Sequence, residues 1–181
     1  MKTRKLLFTM IAVMTMVFGL TLTAHAEEAP ATKVVGVEGI GTFTVPADWS
    51  DAMYIDGYGT FWFNPAKTAC VSMSSLDRTD KGLAPIDSYA AVLRRNYEAV
   101  GVTFLDWQVT QYFGKDAIYS VATSPKNDSF SADFPVLHDQ TFECGYEYYA
   151  GNFDNDVNVA ATTIDEFQAV LSILATYQPA N

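Results

Sequence analysis

Residues Val102–Thr123 read VTFLDWQVTQYFGKDAIYSVAT, and the class of the fold follows from this stretch. β-Branched and aromatic residues dominate it, a composition that suits a pleated surface. They alternate: Leu105, Trp107 and Val109 share one face, and Asp106, Gln108 and Thr110 share the other. Gly114-Lys115-Asp116 reads as a tight turn, after which Ala117–Thr123 resumes as a strand. So short a turn joins antiparallel strands, because a parallel pair needs a crossover of a dozen residues or more.

Working upstream, Pro85–Val100 predicts a helix. Ile86, Tyr89, Ala90, Leu93, Tyr97 and Val100 recur on one face, Asp87 suits the positive N-terminal end, and Gly101 is a natural stop. Cys70–Leu76 reads as a strand, and Tyr54-Ile55 with Tyr58–Phe63 as a hairpin through Asp56-Gly57. Ile40–Val45 is a further strand, ended by Pro46, with Trp49 folding back onto the core. Downstream, Ser124–Asp139 holds Ser124-Pro125, Asn127-Asp128 and Phe134-Pro135 and reads as a long loop, a class of segment that is often functional above about 12–15 residues. Gln140–Tyr149 is a strand with Phe142, Cys144, Tyr146 and Tyr148 on one face; Gly151–Asn158 reads as an acidic turn and Val159–Ala161 as a short strand. A last helix starts at Thr163, with Glu166 completing a capping-box pattern, and buries Ile164, Phe167, Val170, Leu171, Leu174 and Tyr177. The expectation is an α+β fold: a single domain in which a twisted antiparallel sheet carries two main helices.

The N-terminus reads as an export signal. Lys2, Arg4 and Lys5 precede an uncharged apolar run, Leu6–Leu22, and Ala24 and Ala26 fit the small-residue cleavage rule. The alternative, an uncleaved membrane anchor, is disfavoured by Thr9, Thr15 and Thr21 within the run, by Thr23 just after it and by the well-placed Ala24-His25-Ala26. The expected organisation is a signal peptide at Met1–Ala26, a short solvated leader at Glu27–Lys33 and one domain at Val34–Asn181, working outside the cytoplasm in the periplasm or the medium. Losing three cations with the signal takes the formal charge from −10 to −13. Such a surface repels nucleic acid and anionic lipid, and no further segment is apolar and long enough for stable membrane insertion. Cys70 and Cys144 form an even pair in an exported chain and predict one disulfide, with two buried free thiols as the alternative.

Several short stretches resemble the PsbP-like families: Gly41-Thr42-Phe43-Thr44-Val45-Pro46 with Trp49, Phe61-Trp62-Phe63-Asn64, the helix opening Ile86-Asp87-Ser88-Tyr89, and Val170-Leu171-Ser172-Ile173-Leu174. The resemblance spans most of Val34–Tyr177. It implies an α/β/α sandwich of the kind found in an extrinsic photosystem II subunit and in small exported bacterial proteins, with a non-enzymatic binding or assembly role and no catalytic residues to carry over.

Reactive chemistry is sparse. After signal removal one histidine remains, His138, in a Leu137-His138-Asp139 context that reads as a solvated loop, and no Gly-x-Ser-x-Gly elbow accompanies it. No phosphate-cradling glycine loop occurs, and no cofactor is expected. Asp154, Asp156 and Asn158 alternate as in the first half of a calcium loop, with Asp165 at the twelfth position, but Val159 stands where that loop needs glycine. They are weak metal candidates. Tyr58, Phe61, Trp62, Phe63, Tyr146, Tyr148 and Tyr149 line either an aromatic groove or, the favoured reading, the core.

The leading functional expectation is a non-catalytic extracytoplasmic domain binding a protein partner or a small ligand. The alternatives are a secreted hydrolase with a carboxylate-based site and a divalent-cation-binding protein. A concave pocket with convergent polar groups of shifted pKa would favour the hydrolase.

Overall fold

The computed structural model describes residues 30–180. Their elements run β1 (Thr32–Val37), β2 (Gly41–Pro46), β3 (Met53–Ile55), β4 (Gly59–Phe63), β5 (Ala69–Asp77), α1 (Ile86–Ala99), β6 (Thr103–Tyr112), β7 (Lys115–Ser124), α2 (Pro135–His138), β8 (Thr141–Ala150), β9 (Phe153–Ala161), α3 (Ile164–Leu174) and β10 (Gln178–Pro179). The expected export signal lies outside the described residues. β1 begins two residues before the expected start of the domain at Val34, pairing Thr32 with Pro46 and Lys33 with Val45.

Seven strands form one antiparallel sheet in the order β3-β4-β5-β9-β8-β7-β6, and β1-β2-β10 make a smaller one beside it. The β6–β7 hairpin, at the edge of the large sheet, turns through Phe113 and Gly114, both at positive φ (51° and 75°), which is the two-residue turn whose twist matches the strands. A bulge between Phe104 and Asp106 ejects Leu105, which is 63% exposed, and puts Phe104 rather than Leu105 on the face of Trp107.

α3 covers one face of the large sheet. Its Phe167, Val170, Ile173 and Leu174 pack with Val71, Met73, Val157, Val159 and Cys144. The Thr163 hydroxyl caps it by accepting from the backbone N–H of Glu166. Beyond the helix, the Tyr177 hydroxyl donates to the carbonyl of Ile40 at 2.7 Å and lies 2.5 Å from the Tyr148 hydroxyl, tying the small sheet to the large one. The opposite face carries α1 over β6 and β7, and α2 over a second cluster of Phe61, Phe63, Cys70 and Ala160. The architecture is the expected single α+β domain, helices on both faces of a twisted antiparallel sheet.

Two expectations are corrected. Cys70 and Cys144 are both buried and unbonded. Register explains why. Cys70 pairs with Ala160 while Cys144 pairs with Val159, so a whole strand separates them and their side chains point to opposite faces of the sheet. Second, Gly151–Asn158 is not an acidic turn: Phe153–Ala161 is one nine-residue strand between β5 and β8 in the middle of the large sheet.

Candidate functional site: an acid-floored cleft under helix α1

That second correction creates the site. On the α1 side of the sheet, β8 presents Glu143, Gly145 and Glu147, and β9 places Ala160, Asn158 and Asp156 opposite them in turn. Ser120 and Ala122 of β7 continue the same rows. On β8 and β9 this floor is small or acidic, and the large apolar side chain beside it, Ile118 of β7, stands opposite Glu147 at one end. α1 therefore buries only Ala90, and the end of its apolar stripe overhangs empty space, with Tyr97 42% and Val100 68% exposed.

The result is an open cleft of about 640 Å³ between floor, helix and the 124–139 segment. A smaller pocket of about 90 Å³ adjoins it between Leu93, Phe104 and Trp107 and shares Tyr97, Glu143, Asp156 and Asn158. The volume lies in the range of small-molecule sites. Tyr58, Phe61, Phe130 and Leu137 wall the far side. The segment read as a long loop, with the short helix α2 inside it, is thus one wall of the cleft.

Glu147 and Asp156 stand directly across a strand pair, where Cβ atoms lie about 4.5–5.5 Å apart and like charges repel. Burial, then the carboxyls of Asp156 and Asp154, push the Glu147 pKa up to about 8, even though the Tyr89 hydroxyl of α1 donates to its Oε1. Burial, then Glu143 and Asp154, push Asp156 up to about 7. Glu143 is raised by burial, opposed by hydrogen bonds from Ser124 and from the Thr141 hydroxyl at 3.1 Å. Asp154, only 7% exposed, has Oδ2 at 3.6 Å from the Arg78 guanidinium and leaves Oδ1 without a hydrogen-bond partner. Asn158 Oδ1, in the middle of the floor, is also buried and unpartnered. Opposite it, any Cβ on Gly145 would come within 2.7 Å of the Val157 carbonyl and 3.1 Å of the Asn158 amide, so glycine keeps this floor flat.

The weak metal candidates Asp154, Asp156 and Asn158 do share one face, but of an extended strand rather than a loop able to curl round an ion. Among the described residues no three His, Cys, Asp or Glu side chains are grouped to hold a metal. His138 ends α2 and is not a solvated loop residue: its ring is 17% exposed and its Nδ1 lies 2.9 Å from Asp139 Oδ1. Of the aromatic set, Phe61, Trp62, Phe63 and Tyr148 are buried, Tyr146 and Tyr149 are half-buried, and Tyr58 is exposed at the cleft. Sequence reasoning missed Glu143 and Glu147. The signal was present, since they alternate with Phe142, Cys144, Tyr146 and Tyr148 and so occupy the face opposite those residues.

No family model and no curated protein matches the sequence. Among solved structures, the chain is similar to the cyanobacterial PsbP (CyanoP) of Synechocystis sp. PCC 6803, with TM-score 0.58, 7% identity, and coverage of 90% of this chain and all of that one. It is also similar to LpqN of Mycobacterium tuberculosis, described as involved in cell envelope biogenesis, with TM-score 0.51, 14% identity, and coverage of 83% and 91%. At such identities the likeness shows architecture alone. The two helical layers, the seven-stranded antiparallel sheet between them and these structural likenesses lead to one statement of architecture: the chain has a PsbP-like fold.

Proposed function

We propose that this chain is an exported, extracytoplasmic, non-catalytic binding domain, cleaved after Ala26, that takes a small ligand in the cleft under α1. The observation that carries the reading is the cleft itself: a helix held off the sheet at its C-terminal end, leaving about 640 Å³ walled by aromatics and floored by polar groups. The extracytoplasmic setting is supported by a similar fold that is involved in cell envelope biogenesis. Among the described residues no helix is long and apolar enough to cross a membrane.

The carboxylate hydrolase is the second reading, favoured by the same convergent acids. Acid–base catalysis of that kind works with pKa values pushed apart, one carboxyl protonated and one ionised. Here burial and mutual repulsion push Glu143, Glu147 and Asp156 in one direction, upward. That pattern suits a floor awaiting a charge more than an acid and base at work.

Native and denaturing mass spectrometry on protein recovered from its own host tests the proposal. The denatured mass is expected to start at Glu27, and the native mass to carry a small ligand that a cleft-filling variant, Ser124→Trp, excludes. A chain still carrying residues 1–26, or a bound mass that Ser124→Trp does not change, would refute it. Turnover of a glycoside panel that Glu147→Gln abolishes would replace it with the hydrolase.

A further inference from the structure

Helix α1 is weakly seated. Of its residues only Ala90 is buried; Ile86, Tyr89 and Leu93 are half-buried, and the chain from Arg94 to Val100 is exposed throughout. Among the described residues, its side chains make one hydrogen bond to the large sheet, from the Tyr89 hydroxyl to Glu147 Oε1. The Tyr89 ring also lies 6.0 Å from that of Tyr149, and Tyr97 and Arg94 reach Phe104 of β6. Gly82 and Gly101, both at positive φ (70° and 95°), bound the segment, and such positions absorb the rotation of a hinged element. A helix attached by so little apolar contact opens at small cost.

The tie to the sheet needs a proton that carboxylates lack. Glu147 lies within hydrogen-bond reach of Asp154, its diagonal neighbour on β9, and Tyr89 reaches both. Asp154 is 7% exposed; its Oδ2 faces the Arg78 guanidinium, and its Oδ1 is buried with no donor. Tyr89 has one proton and gives it to Glu147. An ionised carboxylate only accepts, so with Glu147 ionised the Asp154 oxygen stays orphaned and two like charges face each other. A proton on Glu147 removes both faults. Its O–H donates to Asp154 Oδ1 while its Oε1 still accepts from Tyr89, and the chain from Tyr89 through Glu147 and Asp154 to Arg78 is complete.

We propose that α1 is a lid over the cleft, latched by a proton that Glu147 shares with Asp154, and that it lifts as this proton is lost. Because Tyr97 and Val100 line the cleft, a lifted α1 widens it. The other titratable groups on this side are Asp156 directly opposite Glu147, Glu143 and Tyr149 on β8, and Tyr97 on α1. β7 and β6 turn Ile118, Ser120 and Trp107 toward it, which carry no charge, and Arg78 stands beyond Asp154.

The direction follows from what the closed helix does to Glu147. Burial leads the causes that hold it at about 8, ahead of Asp156 and Asp154, and outweighs the Tyr89 bond, which favours the ionised form. Lifting α1 hydrates the carboxyl and returns it toward its ordinary 4.5. Below 4.5 the closed and open forms both hold the proton. Between 4.5 and about 8 the open form has ionised and the closed one has not, so closure weakens by up to about tenfold per pH unit. Above that window the loss is complete.

Native-state hydrogen exchange in low urea, on the ligand-free mature chain, tests the lid separately from whether the cleft holds a ligand. The α1 amides are expected to exchange through an opening that low urea leaves unchanged, and the α3 amides through global unfolding that urea accelerates. After correction for intrinsic rates, α1 protection is expected to fall at least about tenfold from pH 5.5 to pH 7.5. Glu147→Gln mimics the latched state, because its amide accepts from Tyr89 and donates to Asp154 at any pH. It is expected to hold that fall below about threefold and to leave α1 better protected than in the parent at pH 7.5. Tyr89→Phe removes the tie and is expected to lower α1 protection at both pH values. Protection of α1 that does not fall with pH, that follows α3 in urea, or that falls as far in Glu147→Gln as in the parent overturns the lid. So does a Tyr89→Phe variant with unchanged α1 protection.

Discussion

Replacing Asp156 with Asn isolates the cost of the acidic floor, because the two side chains have nearly the same shape. Burial and the neighbouring Glu143 and Asp154 raise the Asp156 pKa from 3.8 to about 7. The sign follows from linkage. Below pH 3.8 both folded and unfolded chains hold the proton and there is no penalty. Between 3.8 and 7 the unfolded chain has ionised and the folded one has not, so each pH unit costs the fold up to about 1.4 kcal/mol. Above 7 both are ionised and the loss levels off at about 4 kcal/mol. The carboxyl keeps some surface at the cleft, so we expect about half of that, near 2 kcal/mol, with relief of Glu147 in the variant acting in the same direction. The Asp156→Asn variant is thus expected to match the parent at pH 4 and to exceed it by about 2 kcal/mol at pH 8, or about 4–8 °C in Tm. Urea unfolding followed by tryptophan fluorescence at pH 4, 5, 6, 7 and 8 measures the difference, and the acids that do not feel Asp156 cancel between the two proteins. A pH profile parallel to that of the parent, or a variant less stable at pH 8 than at pH 4 relative to it, would refute the reasoning.

Three further outcomes follow from the packing. Intact mass should not change on reduction, and a thiol reagent should label both cysteines only after denaturation, because Cys70 and Cys144 are buried on opposite faces and burial raises both thiol pKa values; a gain of about 2 Da on reduction would contradict the register. Thr163→Ala removes the cap of α3 and should lower stability by about 1 kcal/mol, read from the urea midpoint at unchanged slope. Tyr177→Phe removes the donor to the Ile40 carbonyl, with a similar cost of about 1–2 kcal/mol and an earlier loss of amide protection in β1 and β10 than in β8.

The sequence by itself determined the class and most of the elements. Alternation from Thr103 onward made the β6–β7 hairpin, Asp56-Gly57 made the β3–β4 turn, and the stripe from Phe167 to Leu174 with its Thr163 cap made α3, because each is a local pattern that one element satisfies. β1 and β10 escaped that reading: they are short, and their strand state comes from pairing with β2 rather than from composition. Asp154–Asn158 misled it most. Aspartate and asparagine are poor strand formers, and only ladders from β5 and β8 on both sides hold them extended. The disulfide expectation rested on compartment and parity, and register overruled it, since a one-residue offset flips a side chain to the other face.

The cleft was decided in three dimensions for the same reason. Glu143 and Glu147 were on one face by period, and Asp154, Asp156 and Asn158 on one face by period, but nothing local says that β8 and β9 lie side by side with those faces aligned. That juxtaposition, fixed by the pairing of Glu147 with Asp156, gathers the acids into one floor beneath α1, whose Tyr89 donates to Glu147. Sequence specifies which face of each element is polar. Strand order and register decide whether two polar faces meet solvent separately or enclose a site together.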